Sequence, residues 1–463
     1  MNKNNLWILT EERPKAEVIK QILDLFARDY KIACFVDTIR ILPILENGKF
    51  TFLYEVVGFN CNKINKVLIK TISGYSSFVD FLIFFQVNQP TQNDIPLYAI
   101  EETKTDDKES RNTGVYQRAT KFVFIDHFYP NTKKIMLYNL SVKQNINPTS
   151  TYKFGTKLLL TLGVKIHGKA LDKNIFTPFD SIDEIIEFKN NMRRAPKGNT
   201  PILIKKYNNT ISISGRLFKS GSLSHDPNIG ALSLISAAIR KLGWRGNLLI
   251  KDHHLKQNHL KPKNKFVIIA NFLGINIDGL SLPKANFNNK YWKYENKGEK
   301  LGTIFIHLVI ENFTEGYSIY ENHAGCERGY FLTKEGECLQ IKKYSDREAY
   351  KAGNKKKRIS IPDLIIMDFG RGEIINIEGK TYQLRHNGIR EIKYFDDIEN
   401  LYIKRYYPDF KIIRTVVLYG GKEKRLIEIE IGFLLNENGD LVLGIRAPEI
   451  FREAIKNLID FWS

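Results

Sequence analysis

Apolar and polar positions recur along this chain with two periods, near 3.6 and near 2, and the switches between them mark out the elements. Val18, Ile19, Ile22, Leu25 and Phe26 recur at helical spacing within Pro14 to Tyr30, behind the acids Glu11 and Glu12, which predicts an amphipathic helix. Arg40 to Leu45 and Phe50 to Val57 read as strands around the turn Glu46-Asn47-Gly48, and Asn65 to Ile72 continues the sheet. An apolar strand after Asp80, a strand from Pro96 to Ile100, a helix through Val115, Tyr116, Ala119, Phe122 and Val123, and a strand from Lys134 to Leu140 complete one α/β layer set.

The middle of the chain is patterned less regularly. Ser181 to Met192 predicts a short helix, and Pro201 to Phe218 predicts strands around Asn208-Asn209. Asp226-Pro227 opens a helix whose Leu232, Ile235, Ala238 and Ile239 face one way and whose end is the basic turn Arg240 to Arg245. Leu301 to Phe313 then predicts a helix and Glu337 to Lys343 a strand. Gly388 to Tyr407 reads as one long helix, Lys411 to Tyr419 and Ile427 to Leu434 as strands, and Pro448 to Trp462 as a closing helix. The expected organisation is 1–150, a first α/β core; 151–290, a central basic recognition or linker region; and 291–463, a second α/β core.

Ile361 to Thr381 is the most informative stretch. Leu364 to Phe369 and Glu373 to Ile377 are apolar strands joined by Gly370-Arg371-Gly372. Asp363 opens the first strand, while Glu378 and Lys380 end the second two residues apart and so leave the same face. Two carboxylates and an ammonium converge at one end of a hairpin. Asp368 would project from the opposite face and is a poorer candidate. The stretch from Ser77 to Thr105 repeats the layout: Asp80 precedes an apolar strand, and Glu102-Thr103-Lys104 follows another after a longer loop.

Composition adds the partner. The 463 residues carry 70 Lys plus Arg against 51 Asp plus Glu, a formal charge of +19, with 22 Tyr and 29 Phe. Such a surplus suits a polyanion, nucleic acid first. Apolar runs fall short of the roughly 20 uncharged residues that span a bilayer, and the N-terminus lacks a signal-peptide core, so a soluble, cytoplasmic protein with no membrane role is expected. Cys34, Cys61, Cys326 and Cys338 form no CxxC pair and read as reduced thiols. Asp252-His253-His254 with His259 reads as a polar loop rather than a metal site.

Pro362-Asp363 followed, across two apolar strands, by Glu378-Gly379-Lys380 resembles the PD-(D/E)xK nuclease superfamily, which includes most type II restriction endonucleases. The element order extends the resemblance over roughly 300 to 460. It implies that Asp363 and Glu378 ligate Mg²⁺ and that Lys380 orients or helps deprotonate the attacking water. Asp80, Glu102 and Lys104 resemble the same triad, with Val79 in place of the proline. Asp80 and Glu102 would then be a second metal pair, and Gln117 and Arg118 on the following helix would contact phosphate. The run Lys355, Lys356, Lys357 and Arg358 would attract the DNA backbone. The resemblance implies an α/β fold with two nuclease-like cores and a site-specific deoxyribonuclease that hydrolyses double-stranded DNA. One strand per core could be cut, by a monomer or homodimer paired functionally with a cognate DNA methyltransferase. A structure-specific repair or recombination nuclease, and a non-catalytic DNA-binding protein with degenerate nuclease folds, are the alternatives.

Overall fold

The structure is a computed structural model, and it describes residues 3–46, 49–74, 78–103, 115–138, 150–168, 176–192, 202–216, 227–252, 254–286, 290–296, 298–322, 329–342, 344, 348, 352–421, 431–436, 441–442 and 447–463. The fold is mixed α/β with several mixed sheets. Contacts divide the chain into two compact units, Met1–Ile72 with Tyr294–Ser463, and Ser73–Lys293. This differs from three consecutive parts, because the two ends of the chain belong to one core.

The N-terminal segment of the first unit comprises β1 (Asn4–Thr10), α1 (Ala16–Tyr30), β2 (Cys34–Glu46), β3 (Lys49–Cys61) and β4 (Ile64–Gly74). Helix α1 buries the apolar face expected of it, Val18, Ile19, Ile22, Leu23, Leu25 and Phe26. Strands β2 and β3 form a long antiparallel hairpin, β4 pairs antiparallel to β3, and β1 adds parallel to β4.

The second unit runs β5 (Phe81–Gln86), β6 (Tyr98–Thr103), α2 (Val115–Phe128), β7 (Lys133–Tyr138), α3 (Ser150–Thr161), β8 (Lys165–Gly168) and α4 (Ile182–Asn191). It continues through β9 (Leu203–Tyr207), β10 (Thr210–Ser214), α5 (Pro227–Lys241), β11 (Asn247–Lys251), α6 (Lys265–Leu273), β12 (Ile275–Ile277) and β13 (Trp292–Tyr294). Helix α4 starts where Ser181 caps it, its Oγ accepting from the Glu184 amide at 3.1 Å. Strands β5 and β6 are antiparallel, and β7 and β8 follow in parallel. A second sheet, β12-β11-β10-β9, repeats that scheme: an antiparallel hairpin, then parallel strands reached through helices.

The first unit resumes with α7 (Gly298–Phe313), β14 (Tyr317–Glu321), β15 (Tyr330–Leu332), β16 (Cys338–Gln340), β17 (Leu364–Asp368), β18 (Glu373–Thr381), α8 (Arg385–Glu391), β19 (Lys411–Gly421), β20 (Ile431–Asn436), β21 (Leu441–Val442) and α9 (Glu449–Trp462). The sheet order is β14-β17-β18-β19-β20-β21, with β18, β19 and β20 mutually parallel. All five residues of β17 are buried, as a strand covered on both faces must be. Helix α7 covers one face, and Ile392, Phe395, Ile398, Tyr402 and Ile403 cover the other. The N-terminal segment is tied to this core by Arg13, whose guanidinium meets Glu311 at 2.6 Å and Glu321 at 2.8 Å, and by the Trp462 indole, which donates to the Pro43 carbonyl at 2.9 Å.

The single helix expected from Gly388 to Tyr407 is instead α8 followed by short 3-10, α and π turns. A buried polar cluster accounts for the break. Glu399 lies in the π turn, accepts from the Asn376 amide at 2.8 Å and pairs with Arg414 at 2.6 Å, and Arg414 also donates to the Ile392 carbonyl at 3.0 Å. A regular helix would not turn all these groups toward one guanidinium. Among the described residues, no helix is long and apolar enough to cross a membrane.

Candidate functional site

Strands β17 and β18 pair from Leu364 opposite Ile377 to Asp368 opposite Glu373, so Asp363 and Glu378 flank the open end of the hairpin. The Asp363 backbone is held on both sides: its amide donates to the Ile377 carbonyl at 3.0 Å, and its carbonyl accepts from the Asn322 amide at 2.8 Å. Asp363 Oδ2 accepts from the Gly379 amide at 2.9 Å, which turns the carboxylate across the end of β18. Glu378 and Lys380 form an ion pair, and Lys380 Nζ also reaches Glu391 Oε2 of α8 at 2.9 Å. Gly379 faces the opposite way, onto α7. A Cβ there would stand 2.4 Å from Thr303 Cγ2 and 3.0 Å from the Glu299 carbonyl oxygen, so glycine lets the start of α7 press onto the strand.

This packing concentrates negative charge. Burial pushes the Asp363 carboxyl up to about 6, with Glu299 and Glu391 adding to the rise against the Gly379 hydrogen bond and the charge of Lys380. Burial and the charge of Asp363 push Glu378 up to about 9, outweighing its ion pair with Lys380. Burial opposes the Lys380 charge, but Glu378 and Glu391 raise its pKa above the ordinary lysine value. The ammonium therefore stays charged while two carboxyls beside it hold protons more tightly than usual. Carboxyls in that condition are short of a cation. Two carboxylates do not form a closed cage, and among the described residues no group of three or more His, Cys, Asp and Glu side chains is set to hold a metal. Mg²⁺ needs no cage, because it keeps several waters and is bound through one or two carboxylates, so the donor set at Asp363 and Glu378 suits it.

Asp368 lies outside this cluster and pairs with Arg371 of the turn at 2.9 Å. Glu299 and Glu391 were not singled out from the sequence. Each belongs to a neighbouring helix, where acids are ordinarily solvated, and only the close seating of that helix betrays it.

The second unit holds a hairpin in the same register. Phe81 pairs with Ile100, so Asp80 and Glu101 occupy the places that Asp363 and Glu378 take in the first unit. The Glu102 amide donates to Asp80 Oδ2 at 2.8 Å, as the Gly379 amide does to Asp363. Glu101, not Glu102, is thus the acid beside Asp80, and alternation turns the Glu102 side chain to the other face. Lys104 lies outside the described residues. The amine at this pair is Lys121 of α2, with Nζ 2.7 and 2.8 Å from the two Glu101 oxygens and 3.4 Å from Asp80 Oδ1.

The remaining candidates whose side chains the structure describes do not join either cluster. Lys355, Lys356 and Lys357 form a 3-10 turn; Lys356, Lys357 and Arg358 are exposed, and the Lys355 side chain lies outside the described residues. Gln117 and Arg118 lie in α2 with side chains likewise outside the description. His254 and His259 serve loop turns: Asp252 Oδ1 accepts from the His254 amide at 2.8 Å and His259 Nδ1 from the Lys256 amide at 3.1 Å. His253 and Cys326 lie outside the described residues. Cys34 and Cys61, read from the sequence as scattered thiols, face each other across β2 and β3 with sulfurs 2.6 Å apart. Compared with known protein families, curated proteins and solved structures, the chain matches none.

Proposed function

We propose that the chain is a Mg²⁺-dependent endonuclease that hydrolyses double-stranded DNA, a type II restriction enzyme working at Asp363, Glu378 and Lys380. One observation carries this reading: the hairpin register brings the half-buried Asp363 and the buried Glu378 together beside a lysine ammonium, in surroundings whose negative charge calls for a cation. Asp363 and Glu378 would hold the ion. A bound Mg²⁺ supplies charge to a phosphate oxygen and lowers the pKa of its water.

The protein residues then have separate tasks. Lys380, fixed by Glu378 and Glu391, presents a charged donor to the attacking water and to the negative charge that builds on phosphorus. The buried strand β17 beneath the pair and α7 above Gly379 keep both carboxylates in one orientation. Lys356, Lys357 and Arg358, together with the surplus of +19, supply sequence-independent attraction for the phosphate backbone. Double-stranded DNA is the partner, with a DNA methyltransferase of the same specificity protecting the host.

Incubation of unmethylated plasmid with the protein and Mg²⁺ tests the reading. Nicked or linear product is expected, abolished by EDTA and by Glu378→Gln. Intact plasmid at every salt and Mg²⁺ concentration would refute it.

A further inference from the structure

The two hairpins place Asp80 with Glu101 and Asp363 with Glu378 in one register, each aspartate accepting from the amide after the glutamate. They differ in where the positive charge stands. In the first unit Lys380 is drawn between Glu378 and Glu391, and Glu299 brings a further negative charge to bear on Asp363. In the second unit Lys121 bonds both oxygens of Glu101 and reaches Asp80.

We infer that Lys121 is the resident cation of the Asp80–Glu101 pair, and that this pair therefore takes no divalent metal ion. An ammonium has three donors, and three carboxylate oxygens lie around this one at 2.7, 2.8 and 3.4 Å. A divalent ion would need the same oxygens. The lysine cannot withdraw cheaply: its neighbours Thr120 and Phe122 are 2% and 0% exposed, which fixes the helix it stands on, and Glu101 is 1% exposed. Removing the ammonium would take from a buried carboxylate the donor that meets both its oxygens.

A second lysine lies within electrostatic reach of the clamp, where burial and the Lys121 charge work against its own charge. Lys265, at the first position of α6, is 9% exposed and interacts electrostatically with both Lys121 and Glu101. Among the described residues, Lys121 bonds both acids of the Asp80–Glu101 pair. In the first unit Lys380 is shared between Glu378 and Glu391, and the Asp363 carboxylate accepts from the Gly379 amide. A metal-binding reading of Asp80 with Glu102, suggested by the sequence, is replaced here by a clamp made of Asp80, Glu101 and Lys121.

The consequence, which rests on the nuclease reading of the first unit, is one hydrolytic centre per chain. Each chain then cuts one strand, and a double-strand break takes a second copy of this chain.

Mn²⁺ binding to the full-length protein, counted by calorimetry and by the loss of free-ion paramagnetic resonance signal, tests the clamp without reference to activity. One ion per chain is expected, lost in Glu378→Gln and retained in Glu101→Gln, whereas Lys121→Met should take up an additional ion. Two ions in the unaltered protein, or an ion lost in Glu101→Gln, would overturn the inference. No ion in the unaltered protein but one in Lys121→Met would refute the reading of the Asp363 centre and leave the clamp standing. If circular dichroism shows Lys121→Met unfolded, the pair Glu101→Gln and Glu378→Gln decides alone.

Discussion

The hairpins β5–β6 and β17–β18 are the same construction with different electrostatics. Each puts an aspartate before its first strand, a buried glutamate at the end of its second, and a backbone amide between them. In β18 the amine comes from the strand itself, and Glu391 of α8 shares it with Glu378. In the second unit the amine comes from α2 and bonds both acids of the pair. Backbone register decides which atoms meet, and the flanking helices decide what charge they meet. A pair left short of positive charge can bind a metal, whereas a compensated pair is a structural clamp.

Four measurements would break or sharpen that contrast. The largest effect is expected on hydrolysis: Lys380→Ala should slow plasmid nicking by roughly 10²–10⁴-fold, the range for a positioned proton-handling group, while Glu101→Gln should leave it within about twofold. Initial rates at saturating Mg²⁺ measure both, and equal losses would erase the distinction between the hairpins.

Stability should respond the other way. Lys121→Met strips the counter-charge from a buried acid pair and should cost roughly 3–5 kcal/mol in urea unfolding followed by fluorescence. A cost below about 1 kcal/mol would mean that Lys121 is not the clamp.

Gly379→Ala comes next. Its Cβ would drive Thr303 Cγ2 from 2.4 Å, an overpacking worth about 1–3 kcal/mol, and Thr303→Ser, which removes that methyl, should restore part of the loss in the double variant. The urea midpoints of the three proteins check this.

The smallest effect is one of sign. Asp363 and Glu378 are raised to about 6 and about 9, so the metal-free folded chain holds protons that the unfolded chain has released. Their contribution is complete at acid pH and is lost as pH rises through those values. Lys265 is lowered to about 7, by burial first and the Lys121 charge second, so the unfolded chain binds the extra proton and stability rises as pH climbs above about 7. In thermal melts of metal-free protein over about pH 5 to 9, Glu378→Gln should make the slope with pH more positive and Lys265→Met more negative. Slopes that move together would contradict the opposed charge balances.

Much of this was legible in the chain. The apolar runs of Leu364 to Phe369 and Glu373 to Ile377 around a glycine turn specify a hairpin by period and turn chemistry alone, and Asp363, Glu378 and Lys380 follow from their places at its ends. The charged helix from Gly388 to Tyr407 was legible as helical but not as broken, because the π turn at Glu399 depends on Asn376 and Arg414 from two strands.

The sequence by itself determined the strands, the turn and the local triad, since these depend on neighbours along the chain. Only the tertiary structure decided that Glu101 rather than Glu102 faces Asp80, because in a strand a shift of one residue reverses the face and the register is set by the partner strand. It also decided that Glu391 shares Lys380 with Glu378 at one site while Lys121 bonds Glu101 and Asp80 at the other. Charges brought by other helices have no fixed spacing in sequence, and over a few ångströms in a buried setting they outweigh the local motif.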